Sequence, residues 1–139
     1  MAGIAFSNSS LGINHSIAHA IGAKYHIPHG RANAVIMPKV ILFNSKVQGA
    51  CKAYDEIAKA LEFNLKREGE GAALLAKAID LRKAKMGIPM SLGEMKVTKE
   101  QYYNDIEDII DLIYKDIATE NNPRKFNRTE IRELLESLY

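Results

Sequence analysis

At 139 residues, with 47% apolar and 26% charged side chains, the chain fits one folded unit with a single core, and its composition excludes a disordered segment. A formal charge of +2, with acids and bases interspersed, excludes the clustered basic face of a nucleic-acid binder. The single cysteine, Cys51, excludes an internal disulfide, fits a reducing cytoplasm and reads as a small hydrophobe buried in a helix.

The opening MAGIAFSNSSLG lacks a basic stretch followed by a long apolar one, so it does not read as a signal peptide. Its polar cluster Ser7, Asn8, Ser9 and Ser10 can cap a first helix running to about Tyr25, with the capping residue left open among the four. Residues 30–44, GRANAVIMPKVILFN, are apolar almost all round. Periodicity alone cannot separate a buried helix from two short strands there, and Pro38 would kink the one or interrupt the other. The helical pattern of everything downstream favours the helix. Its apolar run, Ala32 to Phe43, falls far short of the roughly 20 residues of a spanning helix, so no membrane is predicted as a partner.

Val47, Ala50, Cys51, Tyr54, Ile57, Ala58 and Leu61 share one helical face. Leu74, Leu75, Ala78 and Leu81 mark the next helix, which ends near Met86 with Gly87 as its stop and Pro89 beyond. Thr98 and Gln101 suggest a capping box for a helix over 99–118, with Ile106, Ile109, Ile110, Ile113 and Ile117 as its buried stripe. Asn122-Pro123 breaks the chain, and Asn127 with Glu130 opens a last helix carrying Ile131, Leu134, Leu135 and Leu138. About six helices and no strand are predicted, with no internal domain boundary: an all-α fold.

All four histidines lie in one segment, HSIAHAIGAKYHIPHG, and none follows Gly30. His15 and His19, four apart, project from one helix face. His29, between Pro28 and Gly30, sits in a turn that can return its ring toward them. Imidazole suits zinc, iron, copper or nickel, whereas His26 reads as exposed or as a neighbour of the site. Metal sites built on histidine usually take a third imidazole or a carboxylate. No acid precedes Asp55, and the later ones read as solvated helix faces, so the donor set is incomplete by residue pattern alone.

The segment AFSNSSLGINHSIAHAIGAKYHIPHGRANAVIMP resembles the signature of the iron-containing (group III) alcohol dehydrogenases, roughly G-x-x-H-x-x-x-H-x-x-G followed by P-H-G and A-x-x-x-P. The GIPMSL and NNPR segments are similar to that family as well. The resemblance implies that residues 1–139 are the family's C-terminal metal-binding helical domain, without the α/β nucleotide-binding domain that precedes it in the family. It implies His15 and His29 as metal ligands, His19 as the catalytic histidine near nicotinamide and alcohol, and Phe6 and Ala118 as substrate-pocket residues. An ordinary core role for Phe6 stays equally open. The family's other two ligands lie in a D-x-x-x-H arrangement that does not occur here, and the phosphate-binding glycine motif is also absent.

The resemblance therefore implies part of an Fe²⁺- (or Zn²⁺-) and NAD(P)-dependent enzyme interconverting a primary alcohol and an aldehyde, inactive as this portion alone. A non-catalytic helical interaction module with a remnant metal site is the other reading. Self-association is expected through apolar surface near Ala32 to Phe43 and around Phe6.

Overall fold

Ile13, Ile17 and Ile21 recur every fourth residue, line one side of a helix and are wholly withdrawn from solvent. They belong to α1 (Ile13–Tyr25), followed by α2 (His29–Asn44), α3 (Gln48–Ala60), α4 (Gly71–Lys85), α5 (Lys99–Lys115) and α6 (Arg128–Glu136). Two short 3₁₀ helices, Gly93–Met95 and Ile117–Asn121, flank α5. The computed structural model describes Ile4 and residues 11–139; among these there is no strand, and no helix is long and apolar enough to cross a membrane.

The isoleucines of α1 meet Ile106, Ile109, Ile110 and Ile113 of α5, with Leu92, Tyr102, Ile131 and Leu135 closing the core. Each such side chain contributes about 1.5–3 kcal/mol relative to exposure. α2 lies between α1 and α4. Its 32–43 segment, expected to present apolar surface, is therefore mostly buried, with Met37 and Leu42 its substantially exposed apolar side chains. The helix runs through Pro38 without a break.

Three expectations of the sequence need correction. The α5 helix stops at Lys115 rather than Ala118, because Asp116 turns extended and caps the 3₁₀ helix through Ala118 N–H. That turn swings Ile117, the expected end of the buried stripe, out to 78% exposure. The apolar face of α3 is only half covered: Ile57 and Leu61 are exposed, as is Leu81 on α4. Cys51 is half-buried rather than buried. Ser7, Asn8, Ser9 and Ser10 lie outside the described residues. The first turn of α1 instead follows Gly12, with no side chain of its own capping it.

Other end signals act as read. Gly87 adopts φ 64°, and the N–H groups of Gly87 and Ile88 reach back to the Ala84 and Lys83 carbonyls, a Schellman closure. Asn127 and Glu130 form a complete capping box, while of the box expected at Thr98 the structure gives one half, its side chain accepting from Gln101 N–H. Asp55 receives the N–H groups of Gly69 and Gly71, both at 2.7 Å, which closes the α3–α4 link. Gly71 must be glycine there, since a Cβ would stand 2.5 Å from the Tyr54 carbonyl oxygen.

The start of α1 is capped from across the molecule. Asn122, 4% exposed, accepts from Ile13 N–H (3.2 Å) and from Asn44 Nδ2 (3.2 Å). Its own amide donates to Asn44 Oδ1 (2.8 Å) and to the Arg124 carbonyl (2.8 Å). Arg124 in turn donates to the Phe43 carbonyl (3.0 Å), lies over the Phe43 ring and pairs with Glu130. Asn122→Ala leaves several of these groups buried and unpaired, at ~1–3 kcal/mol each. We expect a loss of roughly 3 kcal/mol in urea unfolding; a loss below about 1 kcal/mol would show that these groups find other partners.

Candidate functional site

α1 has two sides because its apolar and histidine positions are out of phase. Two residues on from Ile13 or Ile17 is about 200° around the helix, so His15 and His19 stand opposite the buried isoleucines. The link from His26 to Pro28 then brings the chain back. His26 takes the left-handed conformation (φ 53°) and is itself exposed, and Pro28 precedes the first residue of α2, which is His29.

Three imidazoles gather as a result. The His29 ring centre lies 5.3 Å from that of His15 and 5.2 Å from that of His19, and His15 and His19 are 6.1 Å apart. Phe6 lies outside the described residues. Ala118 is buried in the 3₁₀ helix next to Asp116, two residues from the carboxylate that touches His19. His26 takes no part.

Two of the rings are held, each by a different partner. His19 Nδ1 lies 2.7 Å from Asp116 Oδ2; a carboxylate only accepts, so Nδ1 carries the proton. Asp116 Oδ1 is occupied by Ala118 N–H at 2.8 Å. Burial works to raise this carboxyl, yet the His19 hydrogen bond, the Ala118 N–H and the neighbouring imidazoles together hold it below the ordinary range. Asn33, one turn along α2, donates to both the His29 carbonyl (3.0 Å) and His29 Nε2 (2.9 Å). Asn14 Nδ2 backs Asn33 Oδ1 at 2.6 Å, while Asn14 Oδ1 is buried without a hydrogen-bond partner among the described residues. A cleft of about 340 Å³ runs past Asn14 and His15, walled by Met37, Ile41 and Tyr54.

The donor chemistry suits a borderline divalent metal, which takes neutral imidazole. His15 is biased to that form: burial first, then the charges of His29 and His19, lower its pKa against the opposing pull of Asp116. A metal at His29 Nε2 would displace the Asn33 hydrogen bond. Among the described residues no three His, Cys, Asp or Glu side chains are set to hold a metal between them.

Residue pattern missed Asp116 and the two asparagines, Asn14 and Asn33. A signal for Asp116 exists: an acid at the C-terminal end of a helix opposes the helix dipole, so it needs another reason to be there.

The sequence pattern of the family "Fe-containing alcohol dehydrogenase family, C-terminal" matches residues 1–139. The chain is 38% identical over 139 residues to an NADPH-dependent butanol dehydrogenase of Clostridium saccharobutylicum, covering 100% of this chain and 35% of that protein. It is 38% identical over 140 residues to the 1-propanol dehydrogenase PduQ of Salmonella typhimurium, covering 99% of this chain and 38% of that one. The solved structure of an iron-containing alcohol dehydrogenase from Thermococcus thioreducens superposes with a TM-score of 0.86 at 36% identity, over 100% of this chain and 34% of that one. The chain thus spans little more than a third of the length of these curated relatives.

The lowered pKa of His15 sets a pH dependence. Above pH 6.5 the ring is neutral folded or unfolded, and its stability contribution is fully present. As pH falls through 6.5 the unfolded chain takes up the proton first, and stability drains until the lower folded-state pKa is passed. Unfolding by urea at pH 7.5 and pH 5 should show this fall, and His15→Gln should make it shallower. An equally steep fall in His15→Gln would assign it to another group.

Proposed function

Because the chain belongs to the Fe-containing alcohol dehydrogenase family, we propose that residues 1–139 form the metal-binding helical part of an NAD(P)-linked enzyme interconverting a primary alcohol and an aldehyde. The observation that carries this reading is the convergence of His15, His19 and His29, with only His19 tied to a carboxylate. His15 and His29 would hold Fe²⁺ or Zn²⁺, completed by donors outside this chain's described residues. The metal supplies Lewis-acid polarisation of the substrate oxygen. His19, with its proton on Nδ1 and half of its side chain exposed, keeps Nε2 as an acceptor for the alcohol proton. Ala118 and Phe6 would shape the apolar side of the pocket.

The same reading takes in this portion's inactivity alone, since nucleotide-binding and completing metal donors would come from the family's other half. Self-association belongs to it too, through apolar side chains such as Leu81 and Met86 that stand in solvent. Cytoplasmic residence fits the lone cysteine.

The test is made in an enzyme carrying both this part and the nucleotide-binding half, with metal content and turnover measured on the same preparations. His15→Ala and His29→Ala should lose metal and activity together. His19→Ala should keep the metal and lose about 10²–10⁴-fold in rate. Equal metal loss in His19→Ala and His15→Ala would make the pair on one helix face the ligands instead. Bound metal without dehydrogenase activity, cofactor being present, would identify a non-catalytic module.

A further inference from the structure

We propose that Asp116 is the positioning residue of His19, fixing both the tautomer and the direction of its ring by a carboxylate built into the turn that ends α5. This deepens the reading of His19 as the proton-transfer group and rests on it. Four observations converge.

Asp116 is 97 residues from His19 in sequence, yet their side chains meet at 2.7 Å, a short, charge-assisted contact. The carboxylate is fixed from its other oxygen by Ala118 N–H, so it cannot rotate away without uncapping the 3₁₀ helix. The turn is itself tied to α1 one helical turn back, through the Thr119 side chain. Thr119 Oγ1 donates to the Ile113 carbonyl (2.6 Å) and shares a hydrogen bond with Ser16 Oγ (2.8 Å). Residues 116 and 119 thus grip residues 19 and 16, two polar links in register. Finally, the Asp116 side chain is 18% exposed against 50% for His19, so the acceptor is shielded while the imidazole stays reachable.

A capping role alone would not need an acid. Asn and Ser cap as well as Asp, but neither can accept from His19 Nδ1–H in the same way while the Ala118 N–H is also bound. With Asn the oxygen goes to the cap and the amide N–H₂ faces the ring, so Nδ1 must become the acceptor and Nε2 the protonated nitrogen. The nitrogen left for the alcohol proton is then the wrong one. Asp116→Asn therefore separates capping from positioning.

The experiment reads the histidine ring nitrogens of the chain by ¹⁵N–¹H NMR at alkaline pH, where the imidazoles are neutral. His19 is expected as the Nδ1–H tautomer, switching to Nε2–H in Asp116→Asn, with unfolding by urea little changed. Asp116→Ser, which keeps the capping oxygen but is too short to reach the ring, should leave His19 as a mixture of tautomers. In the enzyme with its nucleotide-binding half, Asp116→Asn should keep its metal and lose about 10²–10⁴-fold in turnover. An unchanged His19 tautomer in both folded variants overturns the proposal. A switched tautomer with unchanged turnover overturns it too, and metal loss in Asp116→Asn would show that the carboxylate acts through a ligand instead. The tautomer measurement needs no dehydrogenase activity, so failure of the functional reading would leave it standing as a separate result.

Discussion

One buried amide sets where α1 begins. Asn122 supplies the oxygen that the first N–H of α1 lacks, because Gly12 offers no capping side chain. The same amide holds Asn44 at the far end of α2 and the Arg124 carbonyl before α6. Three chain segments are thereby locked at a point two residues from His15. Were the register of α1 to slip by one residue at this anchor, every position on it would turn by about 100° relative to its neighbours, and the histidines would leave the face they share with His29. Gly12 is matched to this arrangement, since a Cβ there would stand 3.0 Å from Asn122 Oδ1.

Given that anchor, one helix can serve the core and the chemistry at once. The isoleucines of α1 secure it against α5, and the opposite side is left with groups whose preferred state is neutral or hydrogen-bonded rather than buried. His15 is the clearest case, because burial first, and then the two neighbouring imidazoles, disfavour its charge and leave a lone pair for a cation. His19 is held by an acid and His29 by an amide. Two of the three like residues thus carry different partners, an acid and an amide, and that difference is what allows them different roles.

Much of this was legible in the sequence wherever the cause is local. The isoleucine stripe of α5, the Gly87 stop and the Asn127–Glu130 box each depend on residues within a few positions of one another. The histidine cluster was legible for the same reason, its members falling within fifteen residues of chain. What spacing could not show were the partners brought in by packing. Asp116 looked like another solvated acid, and Asn122 looked only like the residue before a proline. Ile117 continued a periodic stripe that the helix itself did not continue, because Asp116 turned extended to serve Ala118 and His19.

The span of these contacts also orders events during synthesis. The Ile13 N–H meets its acceptor 109 residues later, and His19 meets its carboxylate 97 residues later. A growing chain exposes all four histidines early, long before Asp116 and Asn122 have left the ribosome, and contacts of such separation close late in folding. His29 can meet Asn33 as soon as α2 forms, whereas the His19 ring gains its carboxylate only when the last quarter of the chain folds back on α1. The orientation of His19, alone of the two held rings, thus depends on the completion of α5 and the turn that follows it.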